Sequence, residues 1–240
     1  MSRFGRRVEF DERSRGYPVR AALRAAEAPA TRVWDCQTYL DQGDDGACVG
    51  FGWAHEVNAD PAVPSPPLGY LDAMGIYFAA QLVDEWPGED YEGTSVLAGA
   101  KVVQRRGYMA EYRWAFGLGD ALLAISQLGP VVLGVNWYES MMDVNDAGWL
   151  RVYGGVAGGH ALLARGVDVA ERSVLLHNSW GESWGVGGTA KLSWDDLDRL
   201  LHENGEACVP LARALPGGPP PDPEPAEPGC LPRWLARLAR

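Results

Sequence analysis

An α+β chain of two lobes is predicted, and three observations predict it. From residue 47 to residue 128 the apolar positions recur at helical spacing. After Gly129-Pro130 they fall into short apolar or alternating runs bounded by Gly, Asp and Ser, which is the pattern of antiparallel strands. The 240 residues, 47% of them hydrophobic, are enough to fill one substantial core or two lobes packed together. A helical first half and a β-rich second half then imply a cleft between them.

Residues 1–33 are polar and Arg-rich, and they read as an arm with one short helix over 19–28. Residues 34–128 read as the helical lobe. An extended segment and a turn occupy 34–46, where Gly43 and Gly46 let the backbone approach a ligand closely. A buried helix follows from Ala47 to Ala59 and ends at Asp60-Pro61. After a proline-rich loop over 61–67, a second helix runs from Leu71 to Glu85 with Ile76, Tyr77, Ala80 and Val83 inward. Thr94 or Ser95 caps a third helix through Arg106, closed by Gly107, and Gly119–Leu128 forms a short fourth. Residues 129–213 read as the β-rich lobe, with strands at 131–136, 161–167, 173–178, 189–192 and 208–211 and one helix over 194–203. A Pro-rich linker at 214–230 leads to a basic amphipathic tail at 231–240, too short to hold a helix without a surface to lie on. That surface is its own body or a protein partner in preference to an anionic membrane.

The chemistry gathers in three stretches. Asp41-Gln42-Gly43-Asp44-Asp45-Gly46-Ala47-Cys48 sets a thiol in the first turn of a buried helix, where free N–H groups and the helix dipole favour a thiolate. Gly158-Gly159-His160 sets a histidine before an apolar run, and Asn178-Ser179-Trp180-Gly181-Glu182-Ser183-Trp184-Gly185 sets an asparagine beside tryptophans. His55, two turns beyond Cys48, reads as a core histidine.

In that order, and from about Trp34 to Pro210, the three stretches resemble the papain-like cysteine peptidases. The resemblance implies a papain-like two-lobe fold and hydrolysis of peptide bonds. It implies Cys48 as nucleophile, His160 as base and acid, Asn178 as the residue orienting the imidazole, and Gln42 as an oxyanion donor with the Cys48 N–H. Trp180 would shield the His160–Asn178 bond from water. Gly93 would line the substrate groove and pair with peptide backbone, while Gly159 leaves the wall beside His160 as bare backbone. Glu206 would lie near the floor of the second specificity pocket. With Asp44 and Asp45 by the reacting cysteine, it would favour basic residues in a substrate, the alternative being that all three are solvated surface acids. Amide cleavage by a thiol requires such a set: a thiolate, a proton source for the leaving amine, and donors aimed at the developing oxyanion. No cofactor is implied.

The sequence departs from the family signature in three ways. Asp45 stands where a cysteine is usual, Val49 where an aromatic is usual, and Gly159 precedes the histidine. His160 follows Cys48 by 112 residues and Asn178 by 130, so the chain is a compact member. Papain-like proteins of this kind look most like bacterial and bacteriophage members made without a self-inhibiting prodomain.

Net charge is −11, with eight Arg against four acids in residues 1–32 and four against three in residues 213–240, so the body is strongly acidic. That weighs against nucleic acid, which needs clustered Lys and Arg. Cys36, Cys48, Cys208 and Cys230 are too scattered for a disulfide scaffold or a zinc site, although Cys36 and Cys208 could meet between the lobes. No secretory apolar run and no span of roughly 20 apolar residues occurs, so the expected location is cytoplasmic or within a larger assembly such as a virion. The expected partner is a peptide or protein substrate. Two alternatives stay open: a non-catalytic papain-like component of a particle, anchored by the C-terminal tail, and acyl transfer to other amines or amides with the same triad.

Overall fold

In a computed structural model the residues described are 4–23, 28–88 and 90–213; the proline-rich linker and the basic tail expected from sequence lie outside them. Five α-helices and seven antiparallel strands alternate as β1 (Arg32–Val33), α1 (Cys48–Val57), α2 (Tyr70–Gln81), α3 (Val96–Arg105), β2 (Met109–Trp114), α4 (Leu118–Gln127), β3 (Val131–Tyr138), β4 (Val156–Asp168), β5 (Ser173–His177), β6 (Thr189–Ser193), α5 (Trp194–His202) and β7 (Glu206–Arg213). The sheet order is β2-β7-β3-β4-β5-β6, with β1 paired to β4.

Helix α1 is the axis of the helical half. All ten of its residues are buried, because α2, α3 and β4 enclose it. Gly50 makes that possible, since a Cβ there would stand 2.4 Å from the Ala73 carbonyl oxygen of α2. The Trp53 indole N–H donates to the Val96 carbonyl at 3.1 Å, tying α1 to the start of α3. Ser95 caps α3 by accepting from the Ala98 N–H, and Gly107 follows it at φ +80°, in agreement with the sequence reading. At its far end α1 is capped from the sheet: Arg213 donates to the carbonyls of Glu56, Val57, Ala59 and Asp60 and pairs with the buried Glu56 carboxylate at 2.8 Å.

Two cores follow from the period-2 alternation of the sheet. On β3 and β4, Val132, Ala161 and Leu163 face α1–α3, whereas Leu133, Val135, Leu162 and Ala164 face the second core. Helix α4 gives Ala121, Leu122, Leu123, Ala124 and Ile125 to that second core, so it packs with the sheet and not with α1–α3. Helix α5 adds Leu197 and Leu200, its start fixed by Ser193, which accepts from the Asp196 N–H at 3.0 Å.

Several elements differ from the sequence reading. Strand β2 was not expected: it is an edge strand paired only with β7, and it lacks a clean burial alternation. In place of a helix over 19–28, the described part of the arm holds two 3-10 turns, at Glu12–Gly16 and Val19–Ala22. Cys36 and Cys208 are free, buried thiols. Cys36 packs against His177, while Cys208 lies opposite Trp114 and Val132 in the sheet. Among the described residues no helix is long and apolar enough to cross a membrane, and no cluster of His, Cys, Asp and Glu could hold a metal ion.

Candidate active site

Cys48 is the first residue of α1 and is wholly buried. The N–H groups of Ala161, Gly5 and Val49 face its sulfur. Ala161 follows His160 on β4, and α1 packs on β4, so the chain at His160 passes the start of α1. His160 shares a 2.7 Å hydrogen bond between its Nε2 and the Asn178 Oδ1. Its Nδ1 is buried and makes no hydrogen bond within the protein. Asn178 stands just past β5, where its N–H donates to the Gly188 carbonyl at 3.0 Å.

Ser179 joins this pair to Gln42, and sequence reasoning gave it no role. Its hydroxyl donates to Gln42 Oε1 at 2.6 Å, its carbonyl accepts from the Gln42 N–H at 2.9 Å, and its N–H donates to Asn178 Oδ1 at 2.8 Å. The Gln42 side-chain amide also donates to the Asp45 carbonyl at 2.6 Å. A chain of contacts therefore runs from the turn before Cys48, through Ser179 and Asn178, to His160. Around the imidazole stand Trp137 and Trp180, with ring centroids at 4.8 and 4.9 Å, and Phe4 at 6.1 Å, edge on.

Phe4 belongs to the arm, which the sequence reading left as an appendage on the body. The structure lays it along the groove instead. The Arg6 N–H donates to the Gly159 carbonyl at 3.0 Å, the Thr94 N–H to the Gly5 carbonyl at 2.8 Å, and the Arg7 N–H to the Thr94 carbonyl at 2.8 Å. Backbone lies on backbone here: a Cβ on Gly93 would stand 2.2 Å from the Gly5 oxygen, and one on Gly159 2.2 Å from the Arg6 oxygen. Gly93, at φ +87°, lies against the arm, and the residue that pairs with the arm's backbone is Thr94. Arg7 stacks over Tyr91, its guanidinium 4.3 Å from the ring centroid.

The Arg6 side chain is fully buried and reaches Glu206, with Nε at 3.0 Å and Nη2 at 2.9 Å from Oε1. Of the three acids expected around the cleft, only Glu206 is buried. Asp44 and Asp45 are exposed, and Asp45 accepts from the Tyr70 hydroxyl at 3.4 Å. His55 is a core histidine, its Nε2 accepting the Leu40 N–H at 2.9 Å.

Burial decides the charge states. It pushes the Cys48 thiol up to about 11, against the pull of the three N–H groups, and His160 down to about 4, against the bond to Asn178. With the arm in place, thiol and imidazole are both neutral near neutral pH. Burial also raises Glu206 to about 7, although the Arg6 guanidinium draws it down. Chemically, a thiol at a helix N-terminus and an imidazole oriented by an amide can form a thiolate–imidazolium pair where the two meet in the presence of water.

No family model matches the chain. An uncharacterised peptidase C1-like protein of Acanthamoeba polyphaga mimivirus is 22% identical over 200 residues, and the match covers 62% of this chain and 62% of that protein, under two thirds of its length. Among solved structures, xylellain, a cysteine protease from Xylella fastidiosa, superposes with a TM-score of 0.64 at 16% identity, covering 88% of this chain and 96% of its own. A digestive procathepsin L2 proteinase from Tenebrio molitor larval midgut gives 0.54 at 19% identity, covering 87% and 78%. The fold of this chain is the papain-like two-lobe α+β fold.

Proposed function

We propose that the chain is a cysteine peptidase of the papain-like type, in a form whose groove is covered by its own arm. Cys48 is the nucleophile, His160 carries the proton to the leaving amine, and Asn178 holds the imidazole by Nε2 so that Nδ1 is left for the thiol. Gln42 and the Cys48 N–H are the donors to the oxyanion. The observation that carries this reading is the run of hydrogen bonds Gln42–Ser179–Asn178–His160, which joins the expected donor, orienter and base and begins in the turn that leads to the buried Cys48. A protein that used the fold only as a scaffold would have no need to hold four such groups in register. The resemblance of the fold to xylellain and procathepsin supports the same chemistry.

Mechanistically, arrival of a substrate carbonyl at the thiol lets the thiolate add to the carbon while the oxygen turns toward Gln42 and the Cys48 N–H. Collapse expels the amine with the imidazolium proton, and water, deprotonated by the neutral imidazole, releases the acyl group. The test is intact mass after incubation of the full-length Arg6→Ala chain with a peptidyl epoxide. One adduct is expected, absent when Cys48→Ala or His160→Ala is added. An adduct that survives Cys48→Ala, or no adduct where a small alkylating agent still titrates Cys48, refutes the assignment.

A further inference from the structure

Helix α2 turns Ala73, Ile76, Tyr77 and Ala80 toward α1 and α3 and keeps a second apolar face outside. Leu71, Met74, Phe78 and Leu82 follow one another at steps of three or four residues, so they line one side of the helix over about three turns. Leu71 is 64% exposed and Leu82 68%, while Met74 and Phe78 are half-buried. Gly75 lies among them and raises no side chain. The Arg106 guanidinium, reaching over from the end of α3, is held there by the Gly75 carbonyl at 3.0 Å. A single exposed leucine is ordinary on a protein surface, whereas four apolar residues in register mark a face that another element can cover.

The charge around that face favours a basic occupant. From Trp34 to Ala100 the chain holds twelve Asp and Glu and no Lys or Arg, whereas residues 101–213 hold thirteen acids against ten Lys and Arg. Residues 231–240 have the complementary make-up, with Arg233, Arg237 and Arg240 and no acid. Their apolar residues, Leu231, Trp234, Leu235 and Leu238, recur at the same steps as those of α2. Other exposed apolar residues stand near cations in the chain: Val33 follows Arg32, and Tyr153 comes two residues after Arg151. The chain also leaves the body close by. Arg213, the last residue described, donates to the carbonyls of Asp60 and Ala62, in the loop that leads to α2. The Asn58 side chain donates to the Leu68 carbonyl and accepts the Leu68 N–H, both at 2.8 Å, just before that helix. The 17 residues from 214 to 230, seven of them proline, span up to about 50 Å at about 3.1 Å each, more than the roughly 18 Å length of α2.

We propose that residues 231–240 of the same chain dock on α2, with Leu231, Trp234, Leu235 and Leu238 against Leu71, Met74, Phe78 and Leu82. Arg233, Arg237 and Arg240 fall on the opposite stripe of the tail and stay in water, within the negative field of the helical half. Ten residues that cannot hold a helix alone gain the apolar surface they need, and the face of α2 gains its cover. The inference stands apart from the peptidase reading, because α2 carries none of Cys48, His160, Asn178 and Gln42.

Hydrogen–deuterium exchange of the full-length chain, read by mass on peptides from the tail, tests this. The tail amides are expected to exchange at least about 10-fold more slowly than in a chain carrying Trp234→Ala and Leu235→Ala. Leu71→Ser with Leu82→Ser, changes confined to α2, should release the tail to the same extent. Both leucines are exposed, so the body keeps its melting temperature, and Val33→Ser, at an exposed apolar residue elsewhere, should leave the tail protected. Raising the salt to about 0.5 M should speed tail exchange by about threefold, because the attraction between basic tail and acidic lobe is screened. Protection should stay constant between about 1 and 50 μM protein, as an intramolecular contact requires. Four results overturn the proposal: a tail that exchanges at the rate of the Trp234→Ala, Leu235→Ala chain; protection that survives Leu71→Ser with Leu82→Ser; protection that grows with protein concentration, which assigns the face to a second copy; and protection that arises only with vesicles of anionic lipid, which assigns the tail to a membrane.

Discussion

Gly5→Ala tests the covered state by a change outside the body of the protein. A Cβ on Gly5 would stand 1.7 Å from the Gly46 carbonyl oxygen and 2.4 Å from its carbon. Both are backbone atoms, so no side chain can turn aside. Gly46 is buried and lies close to the Glu92 side chain and the Gly93 N–H, which limits its retreat. The arm must leave. Three groove hydrogen bonds go with it, from Arg6 to Gly159, from Thr94 to Gly5 and from Arg7 to Thr94, each worth about 1 kcal/mol net. Their sum, about 3 kcal/mol before any contribution from the Arg6–Glu206 pair, is a factor of about 10² in the open population. Alkylation of Cys48 by iodoacetamide, mapped by peptide mass, reads that population when opening is fast relative to reaction. Hydration also lowers the thiol from about 11, a value at which only about one molecule in a thousand is thiolate at pH 8. A rise of about 10²-fold or more is therefore expected. Gly16→Ala is the control, since a Cβ there meets nothing within 4 Å. If Gly5→Ala and Gly16→Ala both react within about threefold of the unaltered chain while the fold is intact, the arm does not gate the thiol and the reasoning fails.

Two further predictions concern the buried charges. Arg213→Ala leaves the Glu56 carboxylate buried, its group already raised to about 7 by desolvation, and strips the carbonyls at the end of α1 of their donor. Loss of about 3–5 kcal/mol of unfolding free energy is expected in denaturant titration, and a loss below about 1 kcal/mol would mean that water replaces the guanidinium. The buried histidines give the pH dependence: burial holds His160 and His177 down to about 4 and His55 well below its usual value, His55 and His177 lying ring against ring at 4.4 Å. Their folded values are depressed, so the stability they carry is present above about pH 6.5 and is lost as pH falls toward about 4. Glu56 and Glu206, with raised values, act in the opposite direction over the same range. Imidazole ¹⁵N shifts should show all three histidines neutral at about pH 5.5, and a protonated ring there would overturn the burial argument.

Much of the helical half was legible because its physics is local. The largely apolar run of α1, the serine before α3 and the glycine after it are signals read within one or two turns. The strand expected over 161–167 was legible for the same reason, as a short run between turns, although β4 extends back through His160 to Val156. The triad candidates came from three motifs, and the structure joins them through Ser179, a residue that stood inside one motif without a role of its own. Edge strand β2 was hidden because its exposed face mixes Glu111, Tyr112 and Arg113 with no alternation to read. The arm was hidden for a different reason. Arg6 and Glu206 are 200 positions apart, and nothing in the Arg-rich composition of residues 1–33 marks one arginine as buried.

The way the arm lies also fits the proposed role of Cys48, for the arm rests against the thiol outside the pose that attack requires. Attack requires a carbonyl carbon at the sulfur, with the oxygen turned to the oxyanion donors. Gly5 instead turns its N–H to Cys48, and its carbonyl oxygen is held by the Thr94 N–H on the other side of the groove. The contacts that dock the arm are thus the ones that deny it the productive pose. Arg6 pairs in parallel with Thr94, so the arm follows the 92–96 segment in the same chain direction. The donors and acceptors it uses, Thr94 and Gly159, are backbone groups that an extended peptide of another sequence can also use. Among the described arm residues, the side chain that is both charged and wholly enclosed is Arg6. Closing the groove therefore draws on one buried ion pair, Arg6 with Glu206, as well as on the backbone bonds.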